Sequence, residues 1–340
     1  MIRRSTAAAL ALGLAVAPAS AQEVTLTLHH FFGPSAPTAR DFLTPWAEAV
    51  EEQSGGRLDV EIFPAMSLGG RPPELYAQVR DGVADIVWTL PGYTPGVFPR
   101  SEVFELMGVH RGSAEATNQA IQKVWPMIEA DFEAVHPILV HVHAGNAMHL
   151  AADAPAAPGD LAGLKLRTPS RSGAWMIEGW GAEPVGMPLP ELPQALARGV
   201  VDGALVPFEV VPAMRVHQLT DVSVEGPEGA RFGTAVFLFA MNKARYESLP
   251  DDLRAVIDAN SGAAIAAATG RLWDGFEAPG IALQREAGNE VVTLDAGAMA
   301  AFERAAAPAT ARWIAAAEAA GLDGAGLVEA ARAAVEAHTE

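Results

Sequence analysis

The sequence predicts an α/β protein of two lobes with mostly parallel sheets, and three observations carry that prediction. Strand-like and helix-like patterns alternate from Val24 to His143, the rhythm of βα units. The same rhythm recurs from Leu164 to Val206, which adds a second α/β lobe. Ala235 to Asn242 then reads as a strand returning the chain to the first lobe.

Each element has its own signal. Val24-Thr25-Leu26-Thr27-Leu28 alternates as a half-buried strand and ends in the loop His29 to Pro37. A helix follows, with Phe42, Trp46 and Val50 four apart on one face, closed by Ser54-Gly55-Gly56. Leu58 to Phe63 alternates again, Glu74 to Arg80 is helical, and Asp85 to Trp88 is a strand running into the turn Leu90-Pro91-Gly92-Tyr93. Helix and strand follow over Ala114 to Ala134 and Ile138 to His143. A short apolar strand (Leu164, Leu166) brings Arg167 to the edge of a sheet, where Thr168-Pro169-Ser170 stops it. A long helical pattern starts at Asp251, behind Pro250, and is expected to end near Ala278, before Pro279. Ala296 to Ala320 and Ala325 to His338 are alanine-rich helices.

Composition narrows the function classes. Met1-Ile2-Arg3-Arg4, an apolar run from Ala7 to Val16 and the Ala19-Ser20-Ala21 ending describe a cleavable export signal, residues 1–21. That run is short for a membrane span, and no later one is long enough. The 41 acids against 23 Lys and Arg, net charge −18, oppose binding to nucleic acid or to anionic lipid. With no cysteine there is no disulfide, no thiolate chemistry and no lipid-modified cysteine. A periplasmic location is the expectation. On such an acidic molecule an anionic ligand must be held by a local cation, which singles out Arg167: a guanidinium fixed at a strand end can take a carboxylate through two parallel hydrogen bonds.

Catalytic signals are thin. There is no G-x-S-x-G, S-x-x-K, H-E-x-x-H or P-loop, and the Gly321 to Gly326 cluster lies between helices, outside a dinucleotide-binding context. His141 and His143 share a strand face, as zinc-binding pairs do, but no third ligand is evident nearby. No catalytic residue, metal or cofactor is expected. The competing reading is a periplasmic hydrolase or lyase, for which His30 with Glu209 is the available acid–base pairing.

Five segments together, SGGRLDVEIFPAMSLGG, VRDGVADIVWTLPGYTPGVFP, DLAGLKLRTPS, the PLPELPQALARGVVDG block and FAMNKARYESLPDDLRAVI, resemble in content and order the DctP-type extracytoplasmic solute-binding subunits of TRAP transporters. The resemblance covers nearly the whole chain after the export signal. It implies the two-lobe periplasmic binding protein fold with crossing strands, an interlobe cleft that closes on ligand, and a long helix spanning both lobes. It also implies two partners, a small and a large integral membrane subunit that use an ion gradient. Lobe I is expected over about 22–146 and 235–278, lobe II over about 147–234 and 279–298, with helices of 299–340 packing across both.

In that family the arginine of the G-L-K-x-R segment grips the ligand carboxylate, here Arg167. Two positions depart. Val206 stands where an asparagine is frequent, and Gly145-Asn146-Ala147-Met148 lacks the further arginine of members that bind sialic-type acids. The expected ligand is therefore a small monocarboxylate with an apolar or aromatic body, with room for a 2-hydroxy or 2-oxo group; a dicarboxylate or sugar acid is the alternative. Candidate wall residues are Phe208, Val206, Tyr93, Trp175, Phe32 and Leu90, with Phe31 competing with its neighbour and Trp88 assigned to the core. His30 and His149 are candidate hydrogen-bond donors to ligand, each with an ordinary backbone-bonded role as the competing account. Arg231 is a candidate second cation, and a salt bridge to Glu225 or Glu228 explains it equally well.

Overall fold

The computed structural model describes residues 22–339; the expected export signal, 1–21, lies outside them. Eleven strands form two mixed sheets. β1 (Val24–His30), β2 (Leu58–Phe63), β3 (Ile86–Thr89), β4 (Val135–Val142) and β10 (Val236–Asn242) make the first, in the order β2-β1-β3-β10-β4. β5 (Ala147–Leu150), β6 (Lys165–Thr168), β7 (Glu183–Gly186), β8 (Gly203–Val206), β9 (Val222–Glu225) and β11 (Glu290–Thr293) make the second, in the order β11-β9-β5-β8-β6-β7. In each sheet one strand opposes the rest: β10 is antiparallel to β3 and β4, and β5 to β8 and β9. Those are the two strands beside the connections that carry the chain out, 143–146, and back, 230–235.

The buried runs explain the parallel core. Ile86-Val87-Trp88-Thr89 and Gly203-Ala204-Leu205-Val206 are buried at every position, as strands covered on both faces must be. Helices pack on them. Phe42, Trp46 and Val50 face inward as the spacing predicts, and Trp46 meets Phe239 edge-on at 4.7 Å. Helix starts are capped by side chains that accept orphan amides: Ser113 from Ala116, Ser170 from Gly173, Asp295 from Ala298.

Arg167 sits near the carboxyl end of β6, which lies between β7 and β8. One expectation changes. The long helix does not stop before Pro279. A short helix, Asp251–Ala259, breaks at Gly262 (φ 53°), and a second of 24 residues, Ala263–Glu286, runs on through the proline and bends. A proline inside a helix costs about 3 kcal/mol. Burial on both sides of it offsets that cost. Trp273 packs on Trp88, His141 and Phe237 of the first sheet and Gly270 on the Ala114–Lys123 helix, while Gly280 sits against the Phe208 backbone and Gln284 reaches His149. The C-terminal helices divide likewise: Ala296–Ala319 lies on the Arg171–Gly179 helix beside the second sheet, and Gly324–Glu336 on the Ala114–Lys123 helix beside the first. No helix among the described residues is long and apolar enough to cross a membrane.

Candidate functional site

Parallel strands leave their ligand sites beyond their carboxyl ends, and a cavity lies there between the two sheets. Phe31 and Phe32 enter it after β1, Leu90 and Tyr93 after β3, Arg167 and Pro169 from β6, and Val206, Pro207 and Glu209 from β8. The connections add His143, Asn146 and Ala235, β10 adds Phe237, and Leu189, Leu205 and Val210 complete the wall. The space not filled by atoms, open solvent included, is about 370 Å³.

Arg167 is the cavity's cation. Its Nε donates to the Met187 carbonyl at 3.0 Å, and the Tyr93 hydroxyl stands beside the guanidinium. Tyr93 is itself held in place, its oxygen accepting the Leu189 amide at 2.9 Å. Arg167 is only 2% exposed, yet its Nη2 is buried without a hydrogen-bond partner among the described residues. None of the ion pairs of the described residues includes it. Burial disfavours its charged form and pulls its pKa below the usual arginine value. A buried, half-bonded cation is costly unless an anion joins it.

Glu209 is the cavity's acid. Its Oε1 accepts from the Thr38 hydroxyl at 2.8 Å, and its amide donates to Oε1 of Glu277 on the long helix at 3.1 Å. Burial pushes its carboxyl up to about 7.

Five candidates from the sequence border the cavity: Arg167, Tyr93, Val206, Phe32 and Leu90. The other five do not. Phe208 turns away, its ring 5.0 Å from His149 and under the Arg231 guanidinium at 5.6 Å. Trp175 is sandwiched on the outer face between Arg171 and Arg312. His149 is bonded through Nδ1 to Ser223 Oγ at 2.8 Å inside the second half. His30 is fully buried off the cavity, neither ring nitrogen has a partner among the described residues, and burial first, then His29, lowers it to about 4. Arg231 takes the salt-bridge role, at 2.9 Å from Glu225 and 3.3 Å from Glu277. The His30–Glu209 pairing is not formed, because only Glu209 reaches the cavity. His141 is spent structurally, its Nε2 accepting from Trp88 Nε1 at 3.0 Å, and Trp88 stacks on Phe237 in the core.

The sequence reading misses Asn146, Leu189 and Ala235 as wall residues. For Asn146 and Ala235 the signal was present: the segments that connect two sheets must flank whatever opens between them. Gly145 shows how tight the passage is, with φ +105° and no room for a Cβ, which would run into the Arg231 side chain.

The family model of bacterial extracellular solute-binding proteins, family 7, matches residues 28–316. The chain belongs to this family. Its curated relatives include the C4-dicarboxylate-binding periplasmic protein DctP of Rhodobacter capsulatus, 28% identical over 251 residues, 73% of each chain. Among solved structures, a marine metagenome TRAP solute-binding protein specific for aromatic acid ligands, in complex with 3-hydroxybenzoate, superposes with a TM-score of 0.91. It is 43% identical and covers 94% of this chain and 100% of its own. A TRAP solute-binding protein of Rhodoferax ferrireducens with copurified benzoate gives a TM-score of 0.90 at 40% identity, covering 93% and 98%. The protein is thus a TRAP solute-binding protein and not an enzyme. Proteins of this family are extracytoplasmic, bind small carboxylates and work with membrane subunits.

Proposed function

We propose that this protein captures a small aromatic monocarboxylate in the periplasm and delivers it to the small and large membrane subunits of its transporter. Arg167 holds the carboxylate, and Tyr93, Val206, Phe32 and Leu90 shape the apolar room for the ring. The observation that carries this reading is the buried Arg167 Nη2 that lacks a partner among the described residues, at a cavity whose walls are mostly apolar. A charged hydrogen bond there contributes about 1.5–3 kcal/mol, and a bidentate pair more. The solved relatives with benzoate and 3-hydroxybenzoate support the aromatic body. The export signal of residues 1–21 supplies the route out of the cytoplasm.

In this reading residues of about 22–146 and 235–278 form lobe I, those of about 147–234 and 279–298 form lobe II, and the ligand brings the two together. Closure removes water from the ion pair and so strengthens it.

A thermal-shift screen tests the assignment. Benzoate and 3-hydroxybenzoate, at 100 times Kd, stabilise a native-state binder by about 2.7 kcal/mol. The same acids should leave Arg167→Ala unshifted. A shift with succinate or glucuronate alone would replace the ligand class.

A further inference from the structure

We propose that Glu209 is the specificity residue of this cavity, admitting a hydroxyl on the ligand body and rejecting a second carboxylate. The inference deepens the aromatic-monocarboxylate reading and rests on it. Glu209 is 3% exposed, borders the same cavity as Arg167, and is in none of the ion pairs of the described residues. The charged neighbours are otherwise engaged. Arg231 is shared between Glu225 and Glu277, and Arg40 is paired with Asp41. Arg167 alone balances one ligand carboxylate, which leaves Glu209 either neutral or repelling.

Its position is fixed from two elements. Thr38, in the helix after β1, occupies Oε1, and Glu277, on the long helix, holds its backbone amide; His143 borders the same cavity from the connection after β4. Trp273 and the Glu277 carboxyl approach from the long helix, and Arg40 lies across a surface groove that Glu209 also borders. Burial raises Glu209 to about 7, so it is neutral below that pH and anionic above it. His143 is held far below its usual value by burial and stays neutral over the same range. A hydroxyl is compatible with either form of Glu209: a neutral carboxyl donates to it or accepts from it, and a carboxylate accepts from it. A second ligand carboxylate is compatible only with the neutral form, because two unpaired anions side by side repel.

The test uses two probes that differ at one ring position, 3-hydroxybenzoate and benzene-1,3-dicarboxylate. Their Kd values are measured by titration calorimetry at pH 6 and pH 8, for the wild-type protein and Glu209→Gln. The discrimination against the diacid should grow about tenfold or more from pH 6 to pH 8 in the wild type. It should be flat with pH in Glu209→Gln, where Glu277 still titrates but position 209 carries no charge. Wild-type discrimination that does not change with pH, or that changes equally in Glu209→Gln, overturns the role of Glu209 and leaves the aromatic-acid reading standing. Failure of the wild type to bind either probe overturns both.

Discussion

Ser172 donates a 2.5 Å hydrogen bond to Oε2 of Glu105, tying the helix after β6 to the short helix Ser101–Glu105 that follows β3 in the first half. Oε1 of the same carboxyl accepts the Val236 amide at 3.1 Å, at the start of the returning strand. One buried acid therefore touches both halves and the strand that links them.

Burial first, then the neighbouring Glu102, pushes Glu105 up to about 7. Its folded pKa exceeds that of an unfolded glutamate, so the native state holds its proton more tightly, and this contribution to stability fades as pH rises from about 4.5 to 7. Glu105→Gln removes that dependence. The difference in Tm between the wild type and the variant should move in the variant's favour between pH 5 and pH 7.5. The comparison must be a difference, because His110, His141 and His149, lowered by burial to about 4, 3 and 3, give the opposite slope in both proteins. A Tm difference that is constant with pH would mean Glu105 is ionised throughout.

Arg231 is a structural cation, and its removal should cost stability more than binding specificity. Arg231→Met leaves Glu225 and Glu277 without their guanidinium, a loss of about 3–5 kcal/mol for a broken buried pair. Glu277, raised to about 7 chiefly by burial, can escape by taking a proton below that pH. The penalty in urea unfolding should therefore be larger at pH 8 than at pH 6. A cost below about 1 kcal/mol at both would show that the pair is solvated.

Gly280 illustrates packing that overrides helix propensity. Alanine is the better helix former by about 1 kcal/mol, but a Cβ here would collide with the Phe208 carbonyl oxygen. Gly280→Ala should lower stability by about 1–3 kcal/mol through forced separation of the long helix from the second sheet. An unchanged or raised urea midpoint would mean that the two elements move apart freely.

The strands with internal alternation or apolar runs, β1, β2, β3 and β10, are legible in the sequence, as is the arrival of Arg167 at a strand end. β5, β9 and β11 are not, since four residues such as Val222–Glu225 are too few to establish a period. The helix through Pro279 is hidden because local propensity argues for a stop, and only tertiary burial argues against it. The walls divide for a related reason. Val206 is still in a strand, where side-chain direction alternates predictably. Pro207 ends that strand, so nothing local decides that Glu209 borders the cavity and Phe208 turns out of it.

A crystal structure of the protein with 3-hydroxybenzoate tests the central claim most directly. The account predicts both carboxylate oxygens on the Arg167 guanidinium, at about 2.7–2.9 Å, with Nη2 as one of the donors. A carboxylate seated elsewhere in the cavity, with Nη2 still unbonded, would contradict it.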